Sequence, residues 1–225
     1  MKKYISGLLY LMLTAFLAGS CEYDNYDEPN AVLEGTVSYR GQSVGVRTNG
    51  PEFELWQDGY DLKKNIPVYI AHDGTYSVSL FEGQYKLVVK EGGPWVPMLS
   101  DTLIVDVKGK TTYDVEVTPY FTIEDPGFTV NSSTLTASFT VDRIVGTASM
   151  QSVNVYLGTG MLTDQNKNEY VRNIATDDIV PGQQTTVSFE IPENLANEEY
   201  LFVRIGVRSG QSNEYYYTQS QKVEL

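Results

Sequence analysis

One cysteine, one histidine and only 16 Lys and Arg residues stand in this chain of 225, against 29 Asp and Glu. These scarcities exclude whole classes of chemistry. A lone Cys cannot build a disulfide framework, and one Cys with one His makes neither a metal cluster nor a nucleophile pair. Catalysis could rest only on carboxylates, hydroxyls, lysines or His72. A net charge of −13 and a pI near 4.4 have the wrong sign for DNA or RNA, whose phosphates need clustered Lys and Arg. We therefore expect no nucleic-acid partner, no metal and no cofactor. Long apolar runs are scarce too: the one from Tyr4 to Leu17 is short for a membrane span, which needs about 20 residues.

What is present at the start is an address. Lys2 and Lys3 precede that apolar run, and Ala18, Gly19 and Ser20 precede Cys21, the pattern of an export signal. The run Leu17-Ala18-Gly19-Ser20-Cys21 resembles a bacterial lipobox, in which the cysteine becomes the first mature residue and is lipidated. Several acyl chains on one residue anchor more firmly than one, so the protein is expected to be tethered to a membrane by Cys21 rather than to span it. Glu22 to Asn30 holds four acidic residues and no aliphatic one. Such a stretch cannot offset its ordering entropy by burial and reads as a flexible stalk. An acidic stretch behind the lipidated Cys also resembles the surface-export signal of Bacteroidetes lipoproteins, which implies an outer-membrane protein facing the cell exterior.

From Ala31 onward there is no helical periodicity, only short alternating runs broken by Gly, Pro, Asn and Asp, as all-β sandwiches require. Val32, Gly35 and Val37 open a strand, and Phe53 to Trp56 make another. Val68 to Ile70 leads through a turn at His72-Asp73-Gly74 into Tyr76, Val78 and Leu80; a turn at Phe81 to Gln84 then returns the chain through Tyr85, Leu87 and Val89. Leu103, Val105 and Val107 with Tyr113, Val115 and Val117 read as a hairpin about Lys108-Gly109-Lys110. The pattern restarts after Thr118-Pro119, and alternation at Leu135–Val141, Val153–Leu157, Val187–Ile191, Leu201–Val207 and Tyr215–Tyr217 suits an immunoglobulin- or fibronectin-III-like sandwich. The expected organisation is a signal at 1–21, a tether at 22–30, and two tandem β-sandwich domains at 31–119 and 120–225.

The ordered motifs Gly35-Thr-Val, Leu55-Trp-Gln-Asp-Gly-Tyr60, Asp73-Gly-Thr-Tyr-Ser77, Leu80-Phe-Glu-Gly-Gln-Tyr-Lys-Leu87, Gly93-Pro-Trp95, Asp101-Thr-Leu-Ile-Val105 and Val115-Glu-Val-Thr-Pro-Tyr-Phe121 resemble the Bacteroidetes lipoprotein family DUF3823. Within them, the first strand and the Asp73 to Leu87 region also resemble carboxypeptidase regulatory-like domains of transthyretin type. The resemblance implies an accessory of a SusC/SusD-type glycan uptake system, with oligo- or polysaccharide as ligand. It supplies no binding residues.

Those must come from chemistry. Sugar rings stack an apolar face on aromatic side chains while their hydroxyls take Asp, Asn or Gln partners. Trp95, in the Gly- and Pro-rich run Glu91 to Pro97, is the leading candidate, because such a run resists regular strand and should leave the ring in a loop. Trp56, Asp58 and Tyr60, around a turn with polar neighbours, are the second. Either Trp could instead close the end of its own sandwich. Tyr215 and Tyr217 are expected in the core with Tyr216 on the surface. Seventeen tyrosines argue for a binding surface without locating it. Asp164 to Glu169 alternates oxygen ligands, yet Glu169 stands where a calcium loop has Gly, and Ala175 where it has Glu, so a polar loop is expected. Asp101-Thr102-Leu103 resembles an O-glycosylation acceptor of exported Bacteroidetes proteins, placing the sugar on Thr102. The reading is a non-catalytic glycan-binding lipoprotein, and the rival is a structural or adhesive subunit whose sandwiches bind partner proteins.

Overall fold

Thr75–Leu80 sets the rule for the molecule: Tyr76 and Leu80 are buried while Thr75, Ser77 and Ser79 face water, a period of two that only a half-buried strand satisfies. A computed structural model of the chain describes residues 27–59, 63–98 and 102–225. The first domain comprises β1 (Ala31–Tyr39), β2 (Gln42–Ser43), β3 (Glu52–Trp56), β4 (Ile66–Tyr69), β5 (Thr75–Leu80), β6 (Gly83–Val89), β7 (Leu103–Val107), β8 (Lys110–Thr112) and β9 (Val115–Glu116). In one sheet β1 is central, antiparallel to β5 and β2 and parallel to β8 and β9; the other has the order β4-β3-β6-β7. Their facing sides interlock through Leu33, Val37, Phe53, Leu55, Leu87 and Val107, none of them more than 1% exposed. Each such side chain contributes about 1.5–3 kcal/mol by leaving water.

The turns form where the sequence places them, with Gly74 and Gly109 at φ +89 and +51, and the first closes a short hairpin through the antiparallel Ile70↔Tyr76 bridge, but the hairpins expected at 81–84 and 108–110 do not form. β5 pairs with β1 and β6 with β3 and β7, so residues 81–82 carry the chain from one sheet to the other. Likewise β7 pairs with β6, while β8 and β9 cross over to β1. Alternation tells which side chains enter the core; it does not say which strand completes the ladder.

The second domain comprises β10 (Phe121–Asn131), β11 (Thr134–Arg143), β12 (Met150–Gly158), β13 (Tyr170–Ile174), a 3-10 turn (Thr176–Asp178), β14 (Gln184–Glu190), β15 (Tyr200–Ser209), β16 (Tyr215–Tyr217) and β17 (Gln221–Glu224). Sheet β10-β11-β14 packs on sheet β13-β12-β15-β16, in which β17 also pairs with β15, so that β16 and β17 share the place of one edge strand in the three-on-four arrangement of fibronectin-III-like sandwiches. The sequence hid β10 because Asp125-Pro126-Gly127 reads as a break. The chain absorbs it as a bulge between Glu124 and Gly127, with Asp125 at φ +49. The chain is all-β, built of two sandwiches. Among the described residues no helix is long and apolar enough to cross a membrane.

The tyrosine run at 215–217 reverses the expectation. Tyr216 enters the sandwich core, while Tyr215 and Tyr217 lie on the opposite side of the sheet with Tyr156. They are nonetheless buried, because loop 163–165 and the first domain meet that side: the Gln165 amide donates to the Tyr217 hydroxyl at 3.1 Å and the Tyr217 amide to the Gly45 carbonyl at 3.0 Å. Gly45 tolerates this approach because it has no Cβ, which would stand 3.0 Å from Arg204 Nη2. Arg47 clamps Glu214 with two bonds of 2.7 and 2.6 Å, and Ser212 donates to the Gly92 carbonyl at 2.9 Å. Tyrosines that suggested an external binding surface are partly spent on this internal one.

Candidate functional site

β3 sends Phe53 and Leu55 inward, so Glu52, Glu54 and Trp56 face outward across the sheet. Registers Trp56↔Lys86 and Lys86↔Ile104 put an indole, an ammonium and an exposed isoleucine in one row over β3, β6 and β7. The neighbouring rows hold Pro67 and Val88 about Glu54, then Tyr69 opposite Glu52. Trp56 is partly exposed, and its Nε1 donates to Glu54 Oε2 at 3.1 Å, which fixes the ring. Lys86 pairs with Asp58 at 2.7 Å, Lys90 pairs with Glu52 and Glu54, and Gln84 donates to Asp106 at 3.0 Å. The Glu52 partnership raises the Lys90 ammonium above its usual range. Both lysines are paired, so the face keeps carboxylates in excess and carries its indole at the end of β3 with a polar fringe beside it.

Of the candidates named from sequence, Trp56 and Asp58 meet on this face through Lys86, and Tyr60 lies outside the described residues. Trp95 is corrected. It is 1% exposed, bridged to Pro119 where the chain passes into the second domain. The glycine that was expected to expose it does the reverse: a Cβ on Gly93 would stand 2.6 Å from the ring's Cζ2, so the bare backbone makes the ring's seat. A buried ring offers no face to a sugar, and Trp95 closes the domain junction instead. Thr102 is exposed ahead of β7, with Asp101 outside the described residues. Cys21 is also outside them. Lys86, Tyr69 and Ile104 were missed, because only the pairing of β3 with β4 and β6, and of β6 with β7, brings them onto the face that carries Trp56.

Asp164 does not reach outward for an ion. It is 1% exposed and accepts from the Asn166 and Lys167 amides at 2.7 and 3.0 Å, which folds the loop on itself. Among the described residues no three His, Cys, Asp or Glu side chains converge as a metal site. Burial pushes the Asp73 carboxyl up, but bonds from Thr75 N and Oγ1 outweigh it and hold the group low; Ser133 and Thr134 hold Glu190 low. Both displacements run opposite to the raised acid that glycoside hydrolysis needs. His72 is partly buried, and burial and the Arg204 charge lower its imidazole, keeping it neutral at physiological pH.

Residues 31–118 match the family described as protein of unknown function (DUF3823) N-terminal domain, and residues 121–222 match its C-terminal domain of unknown function. No curated protein matches the chain. A DUF3823 family protein from Bacteroides ovatus has a solved structure 46% identical to this chain, with a TM-score of 0.82, covering 88% of this chain and 100% of its own. Another from Parabacteroides merdae is 33% identical with a TM-score of 0.81, at the same coverages. A third structure, from Bacteroides uniformis and provisionally described as a carbohydrate binding protein, shares the fold at 20% identity, with a TM-score of 0.72 and coverages of 88% and 100%. The chain belongs to the DUF3823 family.

Proposed function

We propose that the protein is a non-catalytic surface lipoprotein that holds a neutral glycan on the Trp56 face, as an accessory of a SusC/SusD-type uptake system. The observation that carries this reading is Trp56 itself, a partly exposed indole pinned by Glu54 on the outward face of the sheet at the end of β3. A ring held in place loses little entropy when a sugar stacks on it, and the surrounding carboxylates and amides are the usual partners of sugar hydroxyls. Neutral chains are favoured because Lys86 and Lys90 are already paired and the chain as a whole carries −13. The carbohydrate-binding description of the Bacteroides uniformis relative points the same way. The rival adhesive reading, in which the sandwiches add a strand to or pack against partner proteins, is disfavoured at the C-terminus, where β17 is paired with β15 from Tyr200↔Glu224 to Val203↔Gln221.

Affinity electrophoresis of residues 22–225 through gels containing plant, fungal and mucin polysaccharides tests the binding. Retardation by a neutral polysaccharide supports the reading, and free migration through every gel contradicts it. The anchor is tested separately: Cys21→Ser should move the protein from the membrane to the soluble fraction. Intact mass of native protein reads modification of Thr102, which Thr102→Ala should abolish.

A further inference from the structure

At the end of the first sandwich, where Pro29 enters it, the two sheets part on the inward side of the strand whose outward side carries Trp56. Here β5 ends, β6 begins, and Gln57 leaves β3 immediately after Trp56. The gap is a pocket of about 390 Å³, within the range that holds small ligands. Its apolar wall includes Ile66 and Phe81, 36% and 47% exposed. A phenyl ring so exposed on a two-residue link between sheets adds little to either core.

Beside the Tyr85 hydroxyl, which donates to the Phe81 carbonyl at 2.9 Å, three further polar side chains share this pocket: the Gln57 amide, the Ser79 hydroxyl and the Lys64 ammonium. None of the three side chains has a hydrogen-bond or ion-pair partner among the described residues. Gln57 is seated by the absence of a side chain at Gly83, where a Cβ would stand 2.8 Å from Nε2. Exposed aromatic surface on one wall, with donors and acceptors open to solvent near it, complements a pyranose: an apolar C–H face and a rim of hydroxyls.

We infer that this pocket is a second sugar subsite, which takes the terminal pyranose of a glycan whose following units lie across the Trp56 face. The inference rests on the glycan-binding reading above and deepens it. A face without an end wall binds a chain anywhere along its length; a pocket at the end of the sandwich, reached one residue after Trp56, selects chain ends, so short oligosaccharides should bind as well as polymers.

The test uses residues 22–225, since relatives matched over their whole length by 88% of this chain crystallise as folded proteins. Xylo-, manno- and malto-oligosaccharides from monosaccharide to hexasaccharide are titrated by calorimetry into the parent, Phe81→Ala, Gln57→Ala and Trp56→Ala. Phe81→Ala and Gln57→Ala should each weaken the best oligosaccharide about tenfold, the worth of one good ring or hydrogen-bond contact. Both residues lie outside the cores, and unchanged melting temperatures would establish that the variants fold. Loss of binding in Trp56→Ala with full binding in Phe81→Ala and Gln57→Ala would overturn the subsite while leaving the glycan reading intact. Absence of binding by the parent to every series would overturn both. Shifts of the Phe81 ring signals on deleting residues 22–28, without shifts on adding sugar, would give the pocket to the tether and overturn the subsite.

Discussion

Arg204 of the second domain donates from Nη2 to the carbonyl oxygen of His72 in the first, at 2.6 Å, with none of its surface exposed. Its Nε donates to the Thr218 carbonyl at 2.7 Å, its guanidinium lies 4.4 Å over the Tyr217 ring, and its Nη1 is buried without a partner. Burial pushes this group down to about 10, which still leaves it charged at neutral pH. A buried charge is retained only when its bonds hold it, and the bond to His72 joins the two domains.

Arg204→Met keeps the apolar stem but strands two carbonyls. We expect a loss of about 2–4 kcal/mol. Calorimetry should show one unfolding transition in the parent and two in the variant as the domains uncouple.

The Arg47–Glu214 clamp crosses the same junction with side chains only 19% and 14% exposed. Bidentate geometry and partial burial place its worth above that of an open surface pair. Arg47→Ala should cost about 1–2 kcal/mol, and a double-mutant cycle with Glu214→Ala should return a coupling of at least about 0.5 kcal/mol. Additive costs would show that the pair does not contribute as a pair.

Gly206 lies beneath Tyr217 and Tyr215, where a Cβ would meet Cε1 of the former at 2.9 Å and Cδ1 of the latter at 3.1 Å. Gly206→Ala must displace rings that hold the domains together. A loss of about 1–3 kcal/mol is expected by denaturant titration, although alanine is otherwise the better strand residue.

Burial raises the phenols of Tyr76, Tyr156 and Tyr217 well above the ordinary value, and raises Tyr216 to about 12. A group whose folded pKa lies above its unfolded one keeps its stabilisation below the unfolded value, near 10, and loses it as pH rises toward the folded value. Each of these tyrosines should therefore withdraw about 1.4 kcal/mol per pH unit above pH 10. Melting temperature should be flat near pH 8–9 and then fall steeply, and tyrosinate absorbance from the buried rings should appear together with unfolding. Free titration of every tyrosine before unfolding would contradict the burial of these rings.

The sequence was most legible where burial repeats every second residue. Tyr76 and Leu80, or Leu135 to Val141, declare their side of the sheet without help. Pairing was not legible, because β5 carries the same alternation whether it meets β6 or β1. Trp95 misled for a related reason: glycine and proline mark irregular backbone, but irregular backbone at a domain junction is buried. Tyr216 exchanged places with its neighbours because the strand's outward side is covered by the first domain, a contact between parts distant in sequence. Trp56 was legible as a candidate from its turn and polar neighbours, while Phe81 passed as a turn residue; a large exposed aromatic in a two-residue link was the signal that local pattern discarded.

The central claim, that sugar stacks on Trp56, is tested most directly by intrinsic fluorescence, because the chain has only two tryptophans and the other, Trp95, is buried. Titrating residues 22–225 with the polysaccharide that retards them should shift the emission saturably. In Trp56→Phe the remaining signal from Trp95 should stay silent. A saturable shift that persists in Trp56→Phe, or a retarding glycan that leaves the parent's emission unchanged, would contradict the account.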